Sequence, residues 1–207
     1  YLDKLILIPY NYNRYKYYKY KYNLDYEFYL ESDNIDVVKL GIKNGAHGFG
    51  YCLKSDNIEI VKLGIENGAS DFNYCLWSNN MEVIKLGMKN GAIDFNYCLK
   101  SDNIEIVKLG IENGAYDFNL CLTSNNMEVV KTGIEKGAND FDFCLKSDNI
   151  NIVKFGIEKG ANYFNVCLGS NNIEVVKLGI EKGGKHFKLY NSNNLEVLIY
   201  MYENKYL

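Results

Sequence analysis

Between Asn57 and Gly68 the chain places Ile58, Ile60, Val61, Leu63, Gly64 and Ile65 on a broad arc of a helical wheel. Glu59, Lys62 and Glu66 share the remaining wedge. A helix apolar over more than half its girth is covered on both sides, so this spacing predicts an interior helix. Asn57 suits its N-cap, because a side-chain oxygen there accepts from a first-turn backbone N–H. Gly68 suits the C′ position, where positive φ costs glycine nothing. A shorter pattern follows in Asp71–Ser78: Phe72, Cys75 and Leu76 stand at i, i+3 and i+4, which predicts a short helix with a single apolar stripe.

This pair of patterns repeats. The stretch Cys52–Ala69 (CLKSDNIEIVKLGIENGA) returns unchanged at Cys98–Ala115, and glycine recurs every 23 residues at Gly45, Gly68, Gly91, Gly114, Gly137, Gly160 and Gly183. The cysteines Cys52, Cys75, Cys98, Cys121, Cys144 and Cys167 keep the same step, as does a phenylalanine column from Phe49 to Phe187. A fixed period of this kind marks a solenoid, in which each unit buries its apolar face against its neighbours. The expected fold is all-α: an α-solenoid of about eight stacked helix-turn-helix units over residues 24–207, with divergent terminal caps at 1–23 and 185–207. A second glycine column, Gly41 to Gly179, falls mid-helix, where glycine costs about 1 kcal/mol against alanine. Its recurrence predicts a close backbone approach, and the cysteines fit the same crowded contact as small apolar side chains. A two-unit period overlies the first: KSD units (Lys54–Asp56, Lys100–Asp102, Lys146–Asp148) alternate with WSN, TSN and GSN at Trp77, Thr123 and Gly169. The array reads as grown by duplicating pairs.

The segment Asn103–Asn119, NIEIVKLGIENGAYDFN, resembles the second helix and following loop of an ankyrin repeat, whose familiar form runs HLEVVKLLLENGADVN. On that alignment Phe95, Cys98 and Leu99 stand where an ankyrin inner helix has a leucine and two alanines. The likeness runs from Tyr26 to about Asn204, clear for the second helix and weak for the first. An ankyrin unit has about 33 residues; the part without a counterpart is the hairpin loop and the TPLH turn. The array is similar to the shortened ankyrin-like arrays of giant DNA viruses of amoebae and of some protists. The resemblance implies stacked helical hairpins that bind proteins, although ankyrins bind largely through hairpin tips and inner helices, and the tips are missing here. A leucine-rich repeat is the alternative fold, since its period can also be 23. Set on Phe72, its pattern requires an apolar residue at Glu82, which fails in every unit.

Composition changes the picture mainly by exclusion. The longest aliphatic run near the start, Leu5–Ile8, is too short for a membrane span or a signal peptide core. Cysteines at equivalent positions of stacked helices lie roughly 10 Å apart, beyond the reach of about 7 Å that a disulfide requires. The expectation is six free thiols in a reducing cytoplasm, such as that of a host cell. A zinc site needs ligands converging on one ion, which a ladder does not supply. No nucleotide, metalloprotease or nucleophile motif is present, and His47 and His186 lie in different terminal regions. The expectation is a non-enzyme with no cofactor and no metal.

Charge is uneven: Lys4, Arg14, Lys16, Lys19 and Lys21 against Asp3 give residues 1–23 a charge of +4, which leaves −7 on the rest of a chain of net −3. The tract alternates tyrosine with Lys or Arg. It reads as a cap over the end of the stack, or alternatively as an arm whose Arg14, Lys16, Lys19 and Lys21 hold single-stranded nucleic acid. The lysine column from Lys39 to Lys177 reads as a solvated face with local ion pairs, and the acidic balance of the array opposes nucleic-acid binding there. Variation concentrates in the loop residue after Gly-Ala and at the edge of the first helix. Tyr51, Tyr74, Trp77, Ile93, Tyr97 and Tyr116 are therefore the candidate protein-binding residues, since aromatics dominate interface hot spots. The expected function is a scaffold for a protein partner. A structural, self-associating solenoid is the alternative.

Overall fold

The computed structural model describes residues 26–185 and 194–204. Residues 1–23, with Arg14, Lys16, Lys19 and Lys21, and most of the 185–194 connection lie outside the described residues. Among the described residues every regular element is helical. The leucine-rich alternative, which needs a strand in each unit, is therefore set aside.

Within the described residues seven short 3₁₀ helices alternate with α-helices: η1 Tyr26–Glu31, η2 Phe49–Lys54, η3 Phe72–Trp77, η4 Phe95–Lys100, η5 Phe118–Thr123, η6 Phe141–Lys146 and η7 Phe164–Gly169. The α-helices are α1 Ile35–Lys43, α2 Ile58–Glu66, α3 Met81–Lys89, α4 Ile104–Glu112, α5 Met127–Glu135, α6 Ile150–Glu158, α7 Ile173–Glu181 and α8 Leu195–Glu203. Among the described residues the first helix of a unit is thus 3₁₀, six residues long. At about 2.0 Å rise per residue it spans about 12 Å, against about 13.5 Å for a nine-residue α-helix. The two legs match in length, which lets 23 residues close one hairpin.

Local chemistry sets the α-helix ends. The Asn57 side chain accepts from the Glu59 N–H at 3.0 Å, and Asn80, Asn103, Asn126, Asn149, Asn172 and Asn194 do the same in their units. At the other end Gly68 takes φ +96°. Its N–H reaches the Ile65 carbonyl at 3.0 Å and the Ala69 N–H reaches that of Gly64 at 3.0 Å. These two bonds form the Schellman pair, which satisfies carbonyls the helix leaves over.

Packing explains the mid-helix glycines. A Cβ on Gly87 would lie 2.5 Å from the Cys75 Cβ and 3.2 Å from the Phe72 carbonyl oxygen. In a 3₁₀ helix residues i and i+3 eclipse, so Phe72 and Cys75 are brought in line over that one glycine. The same approach recurs at Gly64, Gly110, Gly133, Gly156 and Gly179. The glycine column is the seam between the two helices of a unit.

The core lies between units. Leu53, Val61 and Ala69 of one unit pack with Cys75 and Val83 of the next, and Leu76, Ile84 and Ala92 pack with Cys98 and Ile106. Half-buried Phe72 touches both clusters and ties the two layers. The leucines, isoleucines and valines of these clusters are almost wholly buried, each worth roughly 1.5–3 kcal/mol of gross stabilisation. No unit owns a complete core, as the architecture requires.

Two polar ladders join the layers. Ser78 Oγ donates to Asp56 Oδ1 at 2.6 Å, the Asn79 N–H donates to the same oxygen at 2.8 Å, and Asn80 Nδ2 donates to the Asp56 carbonyl at 2.9 Å. Equivalent triplets join Ser124, Asn125 and Asn126 to Asp102, and Ser170, Asn171 and Asn172 to Asp148. On the loop side, Asn73 Oδ1 accepts from the N–H groups of both Ile93 and Asp94 at 2.9 Å. Asn96, Asn119 and Asp142 hold the loops of the next units in the same way. Among the described residues no buried side-chain polar atom lacks a partner.

Candidate functional site

Tyr51, Tyr74 and Tyr97 occupy the third residue of η2, η3 and η4, and all three are half-buried. Trp77 closes η3 with nearly half its surface exposed (48%). The unit-to-unit stacking turns this position into a continuous strip. The Trp77 ring lies 6.2 Å from Tyr74, edge-on, and 4.9 Å from Tyr97. Lys54 Nζ sits 5.1 Å from the Tyr51 ring and 4.8 Å from the Tyr74 ring. Lys100 Nζ sits 5.2 Å from Trp77 and 5.7 Å from Tyr97. Ammonium groups at this range are held by ring quadrupoles while staying hydrated.

Four of the six candidate residues are therefore brought together, and two lysines that the sequence reading left aside complete the strip. Ile93 and Tyr116 lie apart from it, in the loops after α3 and α4, with exposures of 78% and 77%. Their side chains are displayed, whereas their N–H groups are fixed by Asn73 and Asn96. At Ile93 and Tyr116 the stack thus uses the backbone of the loop residue and leaves its side chain exposed. Further along, Leu120, Phe143 and Val166 take the tyrosine position, and Lys146 covers Phe143 at 4.3 Å.

On α2 and α4 the lysine column behaves as a solvated face. Lys62 pairs with Glu59 at 2.7 Å and Lys108 with Glu105 at 3.0 Å. Both lysines hold their protons more tightly than usual, chiefly through that hydrogen bond. The six cysteines are free thiols with no exposed surface. Burial pushes each of them up to about 11, far from a nucleophile's range. Among the described residues no group of three His, Cys, Asp or Glu side chains could hold a metal ion, and no helix is long and apolar enough to cross a membrane.

At the N-terminal end of the strip lies an open cleft of about 430 Å³, between the Tyr51 and Tyr74 rings and the loop at Ser70 and Asp71. His47 borders it and is held by Glu27, whose carboxylate is 3.0 Å from the imidazole Nε2. The cleft and the aromatic strip share Tyr51, Lys54 and Tyr74. No family model matches this chain and no curated protein is similar to it, so what the fold and the strip establish is a 23-residue helical-repeat solenoid with an exposed aromatic and cationic face.

Proposed function

We propose that the protein is a non-catalytic repeat scaffold that binds a protein partner along the face carrying Tyr51, Lys54, Tyr74, Trp77, Tyr97 and Lys100. The observation that carries this reading is the exposed Trp77 ring set between two tyrosines with the Lys100 ammonium over it. Tryptophan and tyrosine supply most hot-spot energy at interfaces, and fixed rings lose little entropy on binding. Lys54 and Lys100 favour an acidic partner. A reducing compartment agrees with six buried thiols, and an ankyrin-like, viral ancestry rests on the resemblance of the second helix. The test is affinity capture with the wild-type chain and with the Trp77→Ala/Tyr97→Ala double variant, matched for helical circular dichroism. Partners retained equally by both refute the assignment of this face.

The self-associating reading draws on a different observation. Leu195, Ile199 and Tyr202 form an exposed stripe on α8, at 69%, 47% and 75%. Light scattering over a range of concentrations separates the two readings, since a scaffold for a foreign partner keeps a constant mass.

A further inference from the structure

Among the described residues the paired bonds of the loop ladder first appear at Asn73, and the joint just before it falls in the cleft. In the units after Asn73, Asn96, Asn119 and Asp142, a side-chain oxygen from the preceding unit accepts from two successive loop N–H groups. The residue at that position in the second unit is Gly50, one period before Asn73. The corresponding donors, the N–H groups of Ser70 and Asp71, have no acceptor among the described residues. They are loop amides ahead of η3, both residues are exposed, and both line the 430 Å³ cleft together with Gly50, Tyr51, Lys54 and Tyr74.

We infer that this cradle is a binding site for a carboxylate oxygen of a bound polypeptide, which takes the place that Asp142 Oδ1 fills in its own unit. Asp142 shows that the geometry suits a charged oxygen, with 2.7 Å to the Asn162 N–H and 3.0 Å to that of Tyr163. The flanking residues also match. Asn73, Asn96 and Asn119 each stand between two loop aspartates, whereas Asp142 has Asp140 on one side and Tyr163 on the other. Gly50 likewise has a single flanking aspartate, Asp71, because Gly48 stands on the other side. Lys54 offsets that charge at the cleft. Hydrogen bonds from N–H groups to an ionised oxygen are among the stronger ones, and the Tyr51 and Tyr74 rings supply apolar walls for the residues on either side. As an anchor for a partner the site rests on the scaffold reading above; as a carboxylate site it does not, and a short peptide tests it without any partner.

The chain provides its own control. A Cβ built on Gly50 meets only the Tyr74 Cε2, at 3.9 Å, so Gly50→Asn fills the cradle from within and Gly50→Ala adds a methyl group without an acceptor. The isotope-labelled chain is titrated with three peptides: acetyl-Tyr-Asp-Tyr-amide, acetyl-Tyr-Ala-Tyr with a free carboxylate, and acetyl-Tyr-Ala-Tyr-amide. The expected result is a saturable shift of the Ser70 and Asp71 amide signals with the first peptide, while Ile93 and Asp94 stay still. A shift with the free-ended alanine peptide also supports the site, and comparing the two tells a side chain from a chain end. Gly50→Ala retains the shift; Gly50→Asn abolishes it and raises the melting temperature. The inference is overturned if the blocked alanine peptide acts as strongly as the acidic ones, or if Gly50→Asn, still folded, binds as before.

Discussion

Adding one methyl group to Gly110 sets two known effects against each other. In a helix interior alanine is favoured over glycine by about 1 kcal/mol, so propensity alone predicts a more stable protein. The new Cβ, however, would stand 2.7 Å from the Cys98 Cβ and 3.1 Å from the Phe95 carbonyl oxygen. Carbon atoms rest at about 3.5–4.0 Å, so the helices must part by roughly 1 Å. Cys98 and Leu99 are wholly buried against Ile106 and Val107 of their own unit and the neighbouring layers, which leaves η4 no room to retreat. Overpacking of this kind costs about 1–3 kcal/mol, and Gly110→Ala should therefore lower stability by about 0–2 kcal/mol net. Gly110→Leu, the residue an ankyrin carries near there, should cost more. The measurement is the urea midpoint followed by far-ultraviolet circular dichroism. The partner residue isolates the cause: Cys98→Gly removes the opposing Cβ, whereas Cys98→Ala keeps it and deletes only the sulfur. Gly110→Ala should be better tolerated on the Cys98→Gly background by a coupling of about 1–2 kcal/mol, and unchanged on the Cys98→Ala background. A stabilising Gly110→Ala in the wild type, or equal behaviour on both backgrounds, would refute the steric account.

Iodoacetamide at neutral pH should leave all six cysteines unlabelled in the folded chain and label all six in urea; rapid labelling of the native protein contradicts their burial. Each thiol has a folded pKa of about 11 against an ordinary 9.0. The folded state therefore keeps protons that the unfolded chain releases, and the stability the thiols contribute should be fully present below pH 9.0 and lost as the pH rises towards 11. Replacing Asp102 by alanine strands the Ser124 hydroxyl and the Asn125 N–H and should cost about 1–3 kcal/mol, whereas Asp102→Asn, which keeps an acceptor, should cost less; equal midpoints for the two would show that the ladder bonds contribute nothing. Stacked at roughly 10 Å per layer, eight helical layers make an object on the order of 70–80 Å long. X-ray scattering should give a radius of gyration distinctly above the roughly 17 Å of a compact chain of this length, and a value at or below that figure means the stack closes on itself.

The parts of this fold legible in the sequence are those with local causes. Asn57 and Gly68 announce the ends of α2 because capping acts within one turn. The glycine column announces the seam because a cost repeated in every unit demands a compensating contact. The six-residue first helix is legible as a helix but not as 3₁₀: Phe72, Cys75 and Leu76 satisfy both geometries over so short a span. The ladders are hidden because their bonds join residues 20–24 apart, and asparagine, serine and aspartate in a turn already have a sufficient local explanation. Of the strip, the rings are visible as residue types. Lys54 and Lys100 are not, since only the stack shows that each lysine reaches a ring in the adjacent unit.

The two-unit period has a physical reading beyond a history of duplication. At six joints among the described residues a serine hydroxyl donates to the side-chain oxygen one unit back, at Asp33, Asp56, Asn79, Asp102, Asn125 and Asp148. For that bond alone aspartate and asparagine are interchangeable. They are not interchangeable along the ladder, because neighbouring ladder side chains touch: Asn125 Nδ2 donates to Asp102 Oδ2 at 3.2 Å. An aspartate at 125 would set two carboxylates at that distance, a repulsion of about 1 kcal/mol even under water-like screening. Alternation from Asp56 to Asn171 keeps an amide between successive carboxylates. The lysine two residues earlier follows the charge, since Lys54, Lys100 and Lys146 accompany Asp56, Asp102 and Asp148, while Trp77, Thr123 and Gly169 accompany the asparagines. At Asp33, followed by Asp56, and at Asn79, inside the alternation, the serine bond is kept at 3.0 Å, while the two further bonds of the Asp56, Asp102 and Asp148 joints have no counterpart among the described bonds. Alternation therefore answers to the contact between neighbouring ladder side chains, seen between Asn125 and Asp102, while the serine bond forms with either residue.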